Sequence, residues 1–392
     1  MGDKIKVLWC SDLVTPTGFS RVSHSVIEYL PKEDYTVTGL GVNYYGDPHE
    51  YDFEIYPATL GGDLYGLGRL QMFAKRNMDI IFILNDAWVV AEYLKAIKQV
   101  FTEKRPKIVV YTPVDAKEHD PDWYKDFDIV DQLVVYTEFA RLVINKAAPH
   151  LNTVVIPHGV DTKRFYKMDI DKGVLKKEYF KDKVKDPEDL FIIFSGQRNQ
   201  PRKKLDITLE AFKLFVDGKP ENVKLYLHAG VKDSYIDLIK YAKRLEIDER
   251  VLLTNLMLGT QAVPIEKLNL IYNLCDIGVN TGLGEGWGLV NIEHAVTGAP
   301  QVVPNHSALT DLYSDCGILI EPSFKWVQNS IMTVGEVVTA EDFAEGLELL
   351  YTDKRLYNSL SKASIAKFSS DEFSWKTVSG MFDKVFREVL EK

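Results

Sequence analysis

Residues 276–293 read Asp276-Ile277-Gly278-Val279-Asn280-Thr281-Gly282-Leu283-Gly284-Glu285-Gly286-Trp287-Gly288-Leu289-Val290-Asn291-Ile292-Glu293. The run 276–281 is strand-like, and 289–296 has the pattern of a helix. Glycines at a strand-to-helix turn let backbone N–H groups approach an anion at the helix start. Two carboxylates share that turn: Glu285 lies in the loop, and Glu293 lies one to two turns into the helix. Carboxylates repel phosphate but accept hydrogen bonds from hydroxyls. A phosphate-type turn with acceptors beside it suggests a ligand that is part phosphate and part sugar.

Working outward, short apolar runs alternate with longer amphipathic ones. Strands are expected over 5–10, 35–42, 80–84, 108–112, 132–136 and 153–156. Helices are expected over 21–30, 66–76, 87–99 and 138–146. The pattern restarts after a lysine-rich polar stretch, 161–188. Strands then fit at 191–195, 223–229, 251–255, 276–280, 301–304 and 317–320, with helices at 205–216, 234–245, 265–275, 289–297 and 340–352. Alternating β and α is the signature of a parallel sheet covered on both faces. The chain reads as two doubly wound domains, with 161–188 as a linker or surface insertion. Residues 372–390 read as one amphipathic helix. Its residues Phe373, Trp375, Val378, Met381, Phe382, Val385 and Phe386 recur at helical spacing and form a core face.

The bulk composition excludes several classes. At 392 residues, the length suggests roughly two or three domains. A net charge of −10 argues against a broad nucleic-acid-binding face. The three cysteines, Cys10, Cys275 and Cys316, show neither metal spacing nor a disulfide framework. No apolar run approaches a membrane span, and the N-terminus lacks a signal-peptide core. A cytoplasmic protein is expected.

Two further segments could carry chemistry. The first strand runs into Ser11-Asp12-Leu13-Val14-Thr15-Pro16-Thr17-Gly18-Phe19-Ser20-Arg21, at a turn where open α/β sheets bind ligands. Gly18 could let a phosphate touch backbone N–H groups, with help from Arg21; an ordinary turn is the alternative. The fingerprint Gly-x-Gly-x-x-Gly is absent there, which counts against a dinucleotide oxidoreductase. In the second half, Ser195-Gly196-Gln197-Arg198-Asn199-Gln200-Pro201-Arg202-Lys203-Lys204 crowds positive charge before a helix. That placement is unfavourable near a helix N-terminus. Either an anion compensates it or the loop is simply solvated. A glycosidase would use two carboxylates without such cations. Transfer from a phosphate-activated donor needs them, because charge grows on the leaving diphosphate. The Asp-x-Asp triplets Asp120/Asp122, Asp126/Asp128 and Asp169/Asp171 can hold a divalent metal. In a chain with 57 acidic residues chance is the favoured origin. His119, His158, His228, His294 and His306 lack metal-ligand spacing.

These segments together resemble the family 4 glycosyltransferases. The glutamate pair Glu285 and Glu293 with its glycines is the most specific part. It is joined by Arg198-x-x-Pro201-x-Lys203-x-x-Asp206, by Val155-Ile156-Pro157-His158-Gly159-Val160-Asp161-x-x-Arg164-Phe165, by Pro16-x-Gly18 with Arg21, and by the closing helix around Trp375. The resemblance implies the α/β GT-B fold: two facing Rossmann-like, doubly wound domains with a C-terminal helix crossing back to the N-terminal one. The implied division is 1–165 on the acceptor side, 166–188 as linker or insertion, 189–370 on the donor side, and 371–392 as the crossover helix.

By the same resemblance, Arg198 and Lys203 would bind the donor diphosphate and stabilise it as it leaves. Glu293 would accept from the ribose and Glu285 from the transferred sugar, beside Gly286, Trp287, Gly288 and Leu289. Gly18 would offer backbone N–H groups to the phosphates. The implied chemistry is retaining and metal-independent, without a cofactor. A nucleotide sugar, UDP- or GDP-linked, would be the co-substrate. The acceptor class stays open among glycan, lipid-linked sugar, protein, small molecule and modified base. A sugar-nucleotide epimerase and a non-catalytic nucleotide-sugar binder are the alternatives.

The chain also departs from the family pattern. Asp86 or Asp115 stands near the place where many members carry a first-domain histidine. Asn305-His306-Ser307-Ala308 stands where many carry paired glycines. The aromatic stretch with Tyr44, Tyr45, Tyr51, Tyr56 and Tyr65 and the stretch 322–336 are candidate acceptor or partner contacts.

Overall fold

The computed structural model describes residues 3–102, 105–181, 184–254, 263–328 and 331–392. The chain divides into two compact units, Met1–Gly159 with Glu372–Lys392, and Val160–Asp371. Among the described residues no helix is long and apolar enough to cross a membrane.

The first unit runs β1 (Ile5–Asp12), α1 (Gly18–Tyr29), β2 (Tyr35–Val42), β3 (Ile55–Pro57), α2 (Leu70–Ala74), β4 (Ile80–Leu84), α3 (Ala87–Val100), β5 (Lys107–Thr112), β6 (Gln132–Val135), α4 (Glu138–Ala147) and β7 (Thr153–Val155). The strands form a parallel sheet in the order β3-β2-β1-β4-β5-β6-β7. β1 pairs β2 from Ile5↔Tyr35 to Asp12↔Val42 and pairs β4 from Val7↔Ile80 to Cys10↔Ile83. A parallel sheet covered on both faces buries every residue of its central strands. Accordingly Ile80–Leu84 is buried throughout. The order reverses between β1 and β4, so the loops after these strands open at the switch point where such sheets bind ligands.

The second unit runs α5 (Lys172–Phe180), β8 (Phe191–Ser195), α6 (Leu205–Val216), β9 (Val223–Leu227), α7 (Leu238–Arg244), β10 (Val251–Leu253), α8 (Ile265–Leu274), β11 (Ile277–Val279), α9 (Leu289–Ala295), β12 (Gln301–Pro304), α10 (Ala308–Tyr313), β13 (Gly317–Ile320), β14 (Phe324–Val327), β15 (Val334–Val337), α11 (Ala340–Thr352) and α12 (Lys354–Phe368). Its parallel sheet has the order β10-β9-β8-β11-β12-β13. The reversal falls between β8 and β11, paired at Ile277↔Ile193 and Gly278↔Phe194. The loops after those two strands are the cation-rich 196–204 and the glycine-rich 280–288. The topology therefore brings together the two most informative stretches of the sequence.

The last helix, α13 (Trp375–Glu391), completes the first unit. Phe382 sets its ring edge-on to Phe82 and Tyr111 at centroid distances of 5.5 and 4.9 Å. Ser379 Oγ donates to Val26 O at 2.8 Å, and Tyr35 OH donates to Asp383 at 2.7 Å. Gly159 lies against Trp375, where an added Cβ would come within 2.8 Å of the indole. Only a glycine lets the chain pass that ring.

Several expectations require correction. The units part at Gly159/Val160, not at residue 165, and 166–188 is no free linker. Tyr166 N and Met168 N donate to Asn269 and Asn273 of α8. From α5, Lys176 Nζ donates to Asp276 at 2.7 Å and to Leu190 O at 2.6 Å, while Lys172 lies 3.2 Å from the other oxygen of Asp276. Burial pushes the Asp276 carboxyl up, but the two ammonium groups outweigh it and hold it below the usual carboxylate range. Asp276 is thus spent on this network, and the strand shrinks to Ile277–Val279. The helix expected from 234 begins at Leu238, because Asp237 caps it by accepting from Lys240 N. Residue 255, the expected end of one strand, lies outside the described residues.

Candidate functional site

In the second unit, Gly196 opens the loop after β8; an added Cβ would stand 2.6 Å from Phe194. Asn199, fully buried, donates to Gly230 O and Ile236 O, and so ties the loop to the one after β9. Pro201–Lys203 makes a single 3₁₀ turn. Lys204, at φ +50°, then reverses the chain into α6. Thr281 Oγ1 donates to Lys204 O at 2.9 Å, and Leu283 N donates to Arg202 O at 2.8 Å. The two loops are therefore stitched together through their backbones.

At the centre, Lys203 and Glu285, both buried, form an ion pair. Asn280 Nδ2 donates to Glu285 Oε1 at 3.1 Å and to Asn291 Oδ1 at 3.0 Å. Asn291 donates in turn to Gln301 Oε1 at 3.0 Å, and Gln301 to Ala299 O at 2.8 Å. This buried amide chain fixes the carboxylate, because every member has a partner. Burial raises the Glu285 pKa. The charges of Lys203 and Arg202, with hydrogen bonds from Lys203 and Asn280, outweigh it and hold the group below the usual glutamate value. The site thus keeps an ionised carboxylate, dry and oriented, with an ammonium against it.

The expected site residues fall as follows. Lys203 and Glu285 meet directly. Arg198 stands at the rim, its side chain 52% exposed, 3.2 Å from Asp233. Glu293 is buried on α9, where it accepts from Tyr272 OH at 3.0 Å. Gly288, at φ +89°, turns the chain into Leu289. Gly286 and the buried Trp287 lie in the same turn. Each cation of the run also has a partner within the chain: Arg198 has Asp233, Lys203 has Glu285, Lys204 has Asp206 at 3.3 Å, and Arg202 donates to Gly284 O at 3.5 Å.

Sequence reasoning missed the supporting amides Asn280, Asn291 and Gln301; Asn280 at a strand end just before the glycine loop was their one signal. The Asn305–Ala308 departure has a structural reading. Ser307 takes φ +54°, a left-handed backbone that glycine adopts most easily. Its Oγ accepts from Glu285 N at 3.0 Å, and Ala308 N donates to Glu285 O at 3.2 Å. A hydroxyl gained at this position holds the Glu285 backbone.

In the first unit, Thr17 caps α1 by accepting from Ser20 N, so Gly18 is the first helical residue and Arg21 lies in the first turn. Thr17 Oγ1 donates to Asp12 at 2.6 Å and Asn43 Nδ2 to its other oxygen at 2.9 Å. Burial outweighs these bonds and raises the Asp12 pKa. Asp86 occupies the cap of α3 after β4, at the switch point, and its carbonyl accepts from Val89 N and Val90 N. Asp115 follows β5, close enough to oppose the burial that lowers His119 to a pKa of about 4. The Asp-x-Asp triplets have structural partners: Asp120 and Asp171 are helix caps, and Asp126 and Asp128 share Lys98. Among the described residues no cluster of three or more metal-ligating side chains occurs.

Comparisons with known proteins bear on the fold and on the second unit. The family profile described as glycosyl transferases group 1 matches residues 189–353, from just before β8 to just past α11. An alpha-monoglucosyldiacylglycerol synthase from Streptococcus pneumoniae is 23% identical over 266 residues, 64% of this chain and 58% of that protein. This chain thus spans less than two thirds of that relative. Sucrose-phosphate synthase from Thermosynechococcus elongatus superposes with a TM-score of 0.76 at 15% identity, over 99% of this chain and 100% of that one. Anabaena HepE, solved with UDP and glucose, superposes with a TM-score of 0.71 at 15% identity, over 98% and 100%. Residues 189–353 thus match a group 1 glycosyl transferase domain, and the two Rossmann-like units with the closing C-terminal helix have the GT-B fold.

Proposed function

We propose that the protein moves a sugar from a nucleoside-diphosphate donor, UDP- or GDP-linked, to an acceptor with retention of configuration and without a metal. The observation that carries this reading is the buried Lys203–Glu285 pair at the sheet's switch point, held by Asn280. UDP and glucose in the HepE structure support a nucleotide sugar as the donor. The pair is neutral as a unit, so it can stay buried before the donor arrives. On binding, Glu285 accepts hydrogen bonds from sugar hydroxyls, and Lys203 is shared with the diphosphate. Arg198 leaves Asp233 for a phosphate oxygen. Glu293 accepts from the ribose. As the bond from the anomeric carbon to the phosphate oxygen breaks, Lys203 and Arg198 stabilise the growing negative charge. The acceptor oxygen bonds to the same face of that carbon, and its proton passes to the leaving phosphate oxygen.

Lys203→Ala and Arg198→Ala are each expected to lower turnover on the order of 100-fold, measured by release of nucleoside diphosphate. Near-normal turnover in both would sink the mechanism. Glu293→Ala should weaken nucleoside diphosphate binding in titration calorimetry. A thermal-shift series with UDP-, GDP-, ADP- and CDP-sugars identifies the donor, because a ligand bound to the native state raises the melting temperature.

A further inference from the structure

Glu285 sits on the loosest backbone of the site. In Gly282-Leu283-Gly284-Glu285-Gly286-Trp287-Gly288 every second residue is glycine, which loses more conformational freedom on ordering than any other residue. Among the described residues, the hydrogen bonds to the carboxylate come from Lys203 and Asn280, and both fall on Oε1. Oε2 is the oxygen that remains to accept from a sugar hydroxyl. Where it points depends on the backbone that carries it, and Lys203 and Asn280 hold only the tip of the side chain.

That backbone is gripped from the loop after β12. Glu285 N donates to Ser307 Oγ at 3.0 Å, and Glu285 O accepts from Ala308 N at 3.2 Å. The gripping segment is itself fixed. Asn305 N donates to Ile320 O, at the end of β13, at 2.7 Å, and Thr310 Oγ1 donates to Asn305 Oδ1 at 2.9 Å. His306 Nδ1 lies 3.2 Å from the buried Ser307 hydroxyl. The grip strains its own backbone. Lys204 and Asp186, also at positive φ, take ψ of 46° and 57°, in the left-handed region that side chains can enter. Ser307 combines φ 54° with ψ −149°, at the edge of a region that is essentially glycine's alone. A glycine there would keep the Ala308 bond without strain. It would also strip the N–H of the buried Glu285 of its acceptor, which is unfavourable.

We infer that Ser307 is a positioning residue: its strained backbone is retained because its hydroxyl, together with Ala308 N, sets where Glu285 meets the transferred sugar. This role rests on the donor reading above and deepens it. Strain of this kind persists where the surroundings over-determine it, and it gathers at sites of ligand contact. Stability and recognition then depend on different parts of one residue, the first on the Ser307 backbone and the second on its hydroxyl.

Two variants separate those parts. Ser307→Ala keeps the strain and drops the hydroxyl, whereas Ser307→Gly drops both. Calorimetry on the full chain with UDP, GDP, UDP-glucose, UDP-N-acetylglucosamine and GDP-mannose, alongside melting curves, reads the outcome. The parent is expected to bind a nucleoside diphosphate and a sugar conjugate of it. Both variants should weaken the conjugate about ten-fold and leave the bare diphosphate within about two-fold. Even so, Ser307→Gly should melt about 2 °C or more above Ser307→Ala. A serine that only holds the fold would weaken both ligands together, and Ser307→Gly would then recover what Ser307→Ala lost; either result overturns the proposal. Unchanged conjugate affinity in both variants also overturns it, and leaves the donor reading standing. A glycine variant that melts no higher than the alanine one overturns the claim of retained strain. A parent that binds none of these ligands removes the donor reading and this role with it.

Discussion

The two units solve the same topological problem with opposite electrostatics. Each opens a loop at the switch point of a parallel sheet, and each buries a carboxylate there. In the first unit Asp12 receives only a hydroxyl and an amide, from Thr17 and Asn43. Burial wins, and the carboxyl is pushed up. In the second unit Glu285 receives an ammonium, and the charge wins over burial. Neutral partners fix a loop without creating a field. A charged partner creates one, and a field is what a leaving diphosphate requires.

The sharpest way to break this contrast is Lys203→Ala. Removing one partner of a buried pair leaves the other uncompensated, at about 3–5 kcal/mol. Chemical denaturation should show that loss, and Glu285→Gln in the same chain should recover much of it. A loss below about 1 kcal/mol would show that water already reaches the pair. In the first unit, Asp12→Ala should cost less, about 1–3 kcal/mol, because it strands two neutral donors. An equal or larger loss would erase the distinction between the units.

pH separates them by sign. Glu285 has a folded pKa below 4.5, so its stabilisation is fully present above the unfolded value and is lost as pH falls through the folded one. Asp12 is raised above 3.8, so its contribution is present below the unfolded value and is lost as pH rises through the folded one. Melting profiles of Glu285→Gln and Asp12→Asn should therefore diverge from the parent in opposite directions on acidification. The Glu285→Gln deficit shrinks, and the Asp12→Asn deficit grows. Deficits that move together would refute the assignment. The smallest effect belongs to Arg198→Ala. Its rim pair with Asp233 is half-exposed and should contribute under about 1 kcal/mol to stability, against the large loss of turnover proposed above.

The central strands of both sheets were legible because burial on both faces makes them continuous apolar runs, as in Ile80–Leu84. Loops 196–204 and 280–288 were legible because glycine and charge are visible in any sequence. What escaped lacked a pattern for physical reasons. β3 is three residues long and ends in Pro57. β14 is exposed on both faces, so no alternation marks it. α5 looked like a polar linker because the buried Lys176 and half-buried Lys172 are recognisable as structural only once Asp276 is known to face them. The amide chain Asn280–Asn291–Gln301 was invisible for the same reason: each residue is unremarkable until its partner is known.

The first unit is discontinuous along the chain. Trp9, Phe82 and Tyr111 emerge early from the ribosome, while Phe382 and Phe386, which close over them, emerge after all of Val160–Asp371. During synthesis the second unit can finish first, and the older unit waits with an aromatic face uncovered. The order of completion thus inverts the order of translation, and a nonsense mutation near residue 372 would injure the beginning of the protein before its middle.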